Sequence, residues 1–360
     1  MNVITELQTT APLQYNENLQ YVRAFAAISV MLYHAAHYVR AHLGAGLYDV
    51  FHHFMGLYGV AIFFALSGYL MAELSRRQNP TIFLTARIIR IYPVLILATT
   101  FAVLSDPFRV VEKFDWISIT LIPAGHIFYS LNVEWTLVHE MFFYMVVFGF
   151  IYLKIEKFLP IFGVFWIVVL IARYDNPMPR IGQANISEIF YLTANAGFSA
   201  GLIIPAIVRR IPKMPLFLVI VFLISIPITF WVPAYYARIS SGIGSAFLVA
   251  AALQYPTPIF NGITARLFKK FGDWSYAMYL IHVPVILIIV RQVPVQAWPE
   301  ATYLLSVVVS TLASIALGKA DIKIHHYTRN AVRGMDTDLI NRRVVAFVLA
   351  YLALSIVWLT

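Results

Sequence analysis

The chain is 360 residues long, 61% hydrophobic and only 12% charged, with a mean hydropathy of +0.77 and no cysteine. That composition excludes a soluble globular domain, and its continuous apolar runs exclude the alternating pattern of a transmembrane β-barrel. The net charge of +9 reads as basic loops on the cytoplasmic side of a membrane protein, with no nucleic-acid partner, and the lack of thiols removes disulfides and a cysteine acyl-enzyme.

Residues 1–18 are polar, lack a basic n-region and cleavage site, and are expected to form a cytoplasmic N-terminal segment. Apolar runs follow near 21–39, 54–74, 91–105, 135–153, 158–172, 186–208, 214–232, 239–254, 274–290, 300–318 and 344–359. The fold class expected is all-α, a polytopic transmembrane bundle of about ten core helices plus one C-terminal helix. The membrane domain is placed at 19–330, and 331–360 is a connection and the extra, peripheral helix; the charged stretch 319–343 is read as a polar connection. Residues 116–131 are short and interrupted by Pro123, Gly125 and His126. Charge decides how to read them. If they do not span and the N-terminus is cytoplasmic, eighteen Lys and Arg fall on inside connections and seven outside: Arg40, Arg109, Lys113, Arg173, Arg180, Arg238 and Arg291. That asymmetry is a positive-inside signal that puts the N-terminus on the cytoplasmic side and makes 116–131 a re-entrant or interfacial segment beside a cavity.

The first span carries Arg23 and His34, eleven positions apart. At about 100° per residue they leave one helix face, roughly 16 Å apart along the axis. Ionisable side chains at that depth mark function, and imidazole is the side chain best matched to proton transfer near neutral pH. His37 lies about 60° off that face. Arg87 and Arg90 in TARIIRIYP share one face of a short helix, with the next helix entered at Pro93. They read either as ordinary positive-inside anchors or as a guanidinium fork for phosphate at the cytoplasmic mouth. NVEWTLVHEMFFY, residues 132–144, brings Glu140 into an apolar helix with Trp135 and Tyr144, which read as membrane-belt aromatics or as candidate substrate-lining residues. A carboxylate there needs a partner, and Glu140 is expected to orient His34. His139-Glu140 resembles the start of a zinc-protease helix, but Phe143 stands where the second His is required, so no metal is expected. GDWSYAMYLIHVPV, residues 272–285, reads as a helix starting at Asp273 and Ser275 and carrying His282. Ser67, beside Gly68, marks close helix packing or substrate lining. His52, His53, His325 and His326 are read as solvated loop histidines.

Together these stretches resemble the acyltransferase-3 family of integral membrane O-acyltransferases. The resemblance spans about residues 18–330 and rests on Arg23 with His34, on GVAIFFALSGYL at 59–70, on Arg87 with Arg90, on WTLVHEMFFY at 135–144 and on SYAMYLIHVP at 275–284. The wording of WTLVHEMFFY is closest to the branch associated with exopolysaccharide production. The resemblance implies a bundle of about ten helices and an acetyl-CoA or other acyl-CoA donor. It implies a carbohydrate or glycolipid hydroxyl as acceptor, with polysaccharide-biosynthesis proteins as partners. It transfers catalytic roles to Arg23 and His34 and a donor-binding role to Arg87 and Arg90. Gln20 stands where many members have an acidic residue, and the fused hydrolase-like domain of some members is not expected here. Read without the resemblance, the same buried Arg-His face equally serves a proton-coupled transporter of a lipid-linked sugar or small anion.

Overall fold

The computed structural model describes residues 16–49, 54–105, 114–173 and 181–358. Most of the N-terminal segment, His52, His53, Arg109, Lys113 and Arg180 lie outside the described residues. Among the described residues all regular secondary structure is helical, and the only β pairing is one isolated bridge between Ala124 and Asn185. The long helices are α1 (Glu17–Leu43), α2 (Phe54–Leu74), α3 (Pro80–Ser105), α4 (Trp135–Tyr152), α5 (Leu159–Ala172), α6 (Asn195–Val208), α7 (Pro215–Trp231), α8 (Ala234–Gln254), α9 (Gly262–Gln292), α10 (Pro299–Arg333) and α11 (Thr337–Val357). Seven of them, α2, α3, α4, α8, α9, α10 and α11, are long and apolar enough to cross a membrane.

Helix α1 is not among those seven, because Arg23 and its histidines dilute its hydropathy. It is instead the wrapped centre, packed on α2, α8, α9 and α10. Asn16 caps it by accepting from the Leu19 amide at 3.2 Å. Gly44 ends it in a left-handed turn (φ 72°) whose N–H returns to the Arg40 carbonyl. Helix α2 lies against α1 on one side and α6 on the other. A Cβ on Gly68 would collide with the Phe198 carbonyl, and one on Gly201 with the Ala65 carbonyl, so these two glycines let α2 and α6 touch backbone to backbone. Gly272 does the same for α9 against the Gln20 carbonyl of α1.

One end of the bundle gathers the N-terminus of α1 with the C-termini of α2, α6 and α8. There Asn18 donates to the Thr257 carbonyl at 3.1 Å, and Arg209 reaches the buried Glu73 at 2.6 Å. This is the basic end.

Several expected boundaries are corrected. Residues 80–105 form one continuous helix with Pro93 inside it, so Arg87 and Arg90 sit within α3 itself. The run 186–208 divides into a single turn, Ile186–Ile189, and α6. Asp273 and Ser275 lie inside α9, which begins at Gly262. The stretch 319–343 is helical to Arg333 as the end of α10, so His325 and His326 stand on a helix and not in a loop. In the last two cases a polar helical turn projects past the apolar band, where hydropathy reads it as loop.

The stretch 116–131 forms no spanning helix. It makes one turn at Ile117–Thr120, then runs irregularly with Leu121, Ile122 and Leu131 buried. The buried Glu134 carboxylate holds its end by accepting from the Leu131 amide at 2.7 Å and the Val133 amide at 3.2 Å. Helix α11 packs on α3 at the edge of the bundle.

Candidate active site

A cavity of about 380 Å³ opens between α1, α2, α3, α4, α9 and α10. Its mouth lies at the basic end, beside Gln78, Arg87, Arg329 and Ile340; its floor is formed by Val60, Phe63, Thr136 and Tyr279. Arg23, Ser67, Arg87, Arg90, Glu140 and Tyr144 line it, so six of the side chains singled out in the sequence meet around one space. Trp135 does not line it. It faces the buried His139 edge-on, ring centroids 5.7 Å apart.

Glu140 accepts hydrogen bonds from the Tyr144 hydroxyl, one turn further along α4, and from the Ser67 hydroxyl of α2 at 3.5 Å. Arg23 lies within electrostatic reach of Glu140 and of Asp273. Asp273 thus supplies from α9 an acidic neighbour that Gln20 does not supply from α1. A carboxylate and a guanidinium sharing a closed space balance each other where water is scarce.

Arg90 is committed elsewhere. Its Nη1 donates to both carboxylate oxygens of the buried Asp321, at 2.7 and 2.9 Å, and its guanidinium lies over the Tyr276 ring at 4.8 Å. The expected Arg87–Arg90 fork is therefore split. Arg90 is tied to α10 and α9, whereas the buried Nε of Arg87 has no hydrogen-bond partner.

His34 is not paired with Glu140. Its Nδ1 lies 2.9 Å from Nε2 of His282, across the interface of α1 and α9. His282 Nδ1 in turn lies 2.9 Å from the Met278 carbonyl. A carbonyl only accepts, so His282 Nδ1 carries the proton and His282 Nε2 carries a lone pair. That lone pair accepts from His34 Nδ1–H. Donation to His282 puts the His34 proton on Nδ1 and leaves the lone pair on Nε2. His282 is the residue that sets this tautomer. Its signal was present: an imidazole deep in an apolar helix, three and seven positions beyond Tyr279 and Ser275 and so on one face with them.

The histidine pair sits one aromatic layer beyond the cavity floor. The Tyr279 ring is 5.9 Å from that of His282 and 5.8 Å from Phe63, and its hydroxyl oxygen lies 2.9 Å from that of Thr136. Among the described residues no three His, Asp or Glu side chains gather as a metal ion requires.

A family model described as an acyltransferase domain matches residues 16–318. No curated protein and no solved structure matches the chain.

Proposed function

The chain belongs to the acyltransferase-3 family, and from that premise we propose that it carries an acyl group, acetyl in the first instance, from acyl-coenzyme A to a hydroxyl of a cell-surface or lipid-linked carbohydrate. The observation that carries this reading is the cavity itself. It carries Arg87 and Arg329 at the basic end, is lined deeper by Tyr279, and lies one ring away from a histidine pair in which His34 Nε2 carries the lone pair.

Coenzyme A enters from the basic end, which the eighteen-to-seven charge asymmetry supports as the cytoplasmic side of a bacterial inner membrane. His34 Nε2 takes the proton of the acceptor hydroxyl as its oxygen attacks the thioester carbonyl. The carbon–sulfur bond breaks, and the leaving thiolate takes that proton back from the imidazolium, so charge and atoms balance. The same lone pair suits a variant in which His34 itself carries the acyl group between donor and acceptor. Arg23, with Glu140 as its counter-charge, faces the oxyanion that develops at the carbonyl. For donor and histidine to meet, the thioester must pass the Tyr279 ring, which neighbours both Phe63 of the cavity lining and His282. Polysaccharide-biosynthesis proteins are the natural suppliers of the acceptor.

The test is thermal stabilisation of the purified protein by acetyl-coenzyme A, joined to the acetyl content of surface polysaccharide in cells with and without it. Stabilisation and a matching gain of acetyl groups support the reading. Failure of every acyl-coenzyme A to bind, together with proton-coupled flux of an unmodified substrate through reconstituted vesicles, replaces it with transport.

A further inference from the structure

We propose that the arm of α10 beyond the family domain completes the donor site: His325 and Arg329, with Arg87, hold the phosphates of the donor at the cavity mouth. This rests on the acyl-coenzyme A reading above and names the part of the site that would take the nucleotide end.

The family match stops at residue 318, but α10 runs on to Arg333, and both His325 and Arg329 line the cavity. Asp321, His325 and Arg329 follow one another at intervals of four, so one face of this arm is turned to the mouth. Its first member, Asp321, binds Arg90 through both carboxylate oxygens. That docks the arm onto α3 and neutralises the cation that the sequence had offered to phosphate.

The groups left over are polar atoms without partners. Arg87 Nε and His325 Nδ1 are buried in the cavity wall with no hydrogen bond, and the Thr85 hydroxyl beside them is in the same condition. Arg329 projects at the rim, exposed, within electrostatic reach of Arg333. Glu140 supplies the only carboxylate of the cavity lining among the described residues, and it sits deeper, bonded to Tyr144 and Ser67. Unpaired buried donors are costly, and cations drawn together repel unless an anion joins them. A phosphate ester offers several charged acceptor oxygens to such a set, and guanidinium meets it with paired hydrogen bonds. An anionic lipid headgroup carries the same chemistry, so the experiment separates the two sources.

Dissociation constants for coenzyme A and for phosphate-free pantetheine are measured on the full chain in nanodiscs of phosphatidylcholine, and repeated with phosphatidylglycerol added. The expected result is that His325→Ala and Arg329→Gln each weaken coenzyme A roughly tenfold while pantetheine binding is unchanged. Arg329→Lys, which keeps the charge, should recover most of the loss. Unchanged coenzyme A affinity in both variants, with Arg87→Gln still weakening it, overturns the proposal and leaves the functional reading standing. Equal losses for coenzyme A and pantetheine also overturn it, because they mark general damage to the cavity. A difference between wild type and variants that phosphatidylglycerol abolishes assigns the cations to lipid and overturns it too. A wild-type protein that binds neither ligand overturns the functional reading and this proposal together.

Discussion

His34 of α1 and His282 of α9 face each other with ring nitrogens 2.9 Å apart, and the Met278 carbonyl behind His282 decides which of the four nitrogens is the base. The relationship makes a kinetic prediction. His282→Phe removes the acceptor that holds the proton on His34 Nδ1, so kcat should fall about tenfold to a hundredfold while KM for the donor stays close to wild type. His282→Gln keeps a side-chain oxygen that can accept from His34 and should recover part of the loss. Steady-state kinetics of both variants check this; a merely structural role would lower expression and kcat together and would show no rescue by Gln.

The Arg90–Asp321 pair joins α3 to the far end of α10. Asp321 is buried, so Asp321→Ala leaves the Arg90 guanidinium facing the Tyr276 ring without its carboxylate. The loss should be about 2–4 kcal/mol, below the figure for a fully enclosed pair because the arginine is partly exposed. Replacing both partners by apolar residues, Arg90→Met with Asp321→Leu, should recover much of it. A double-mutant cycle on thermal unfolding in detergent measures the coupling.

Glu134 makes stability depend on pH. Burial pushes its carboxyl up to about 7, against the opposing pull of the Leu131 and Val133 amides. A carboxyl raised in the folded state binds its proton more tightly folded than unfolded. Its stabilising contribution is therefore complete below the usual carboxylate range near 4.5 and is lost as pH rises towards 7. Glu134→Gln should abolish that slope, so the melting temperatures of wild type and variant should diverge between pH 4.5 and 7, with the wild type falling as pH rises.

The thioester-facing charges predict a separate effect. Glu140→Gln keeps a hydrogen-bond acceptor for Tyr144 and Ser67 but removes the counter-charge near Arg23. Activity should drop by about tenfold or more with the fold retained. Glu140→Ala should also lower stability, because two hydroxyls lose their acceptor. Comparing the melting curves and rates of the two variants separates charge from structure.

Much of this was legible in the chain, for identifiable reasons. Hydropathy located eleven helical runs because lipid demands long apolar segments, and charge asymmetry kept 116–131 from being read as a span. Arg23 and His34 do share one central helix, but only Arg23 lines the cavity, together with Ser67, Arg87, Arg90, Glu140 and Tyr144. What sequence could not carry was pairing across helices. Depth alone suggested Glu140 for His34, but depth does not give rotation, and α9 rather than α4 presents its residue to that imidazole. Asp321, His325 and Arg329 were missed because α10 continues past its apolar stretch, so their polar turns looked like a loop. Trp135 was placed near substrate by its neighbours in sequence, whereas its helix turns it towards His139.

Acyl transfer through His34, as base or as carrier, is tested most directly by following label from radioactive acetyl-coenzyme A to the acceptor glycan with purified wild type and His34→Ala. The predicted result is a folded variant that still binds coenzyme A but transfers at least about a hundredfold more slowly. A folded His34→Ala protein that transfers acetyl groups at the wild-type rate would contradict the account.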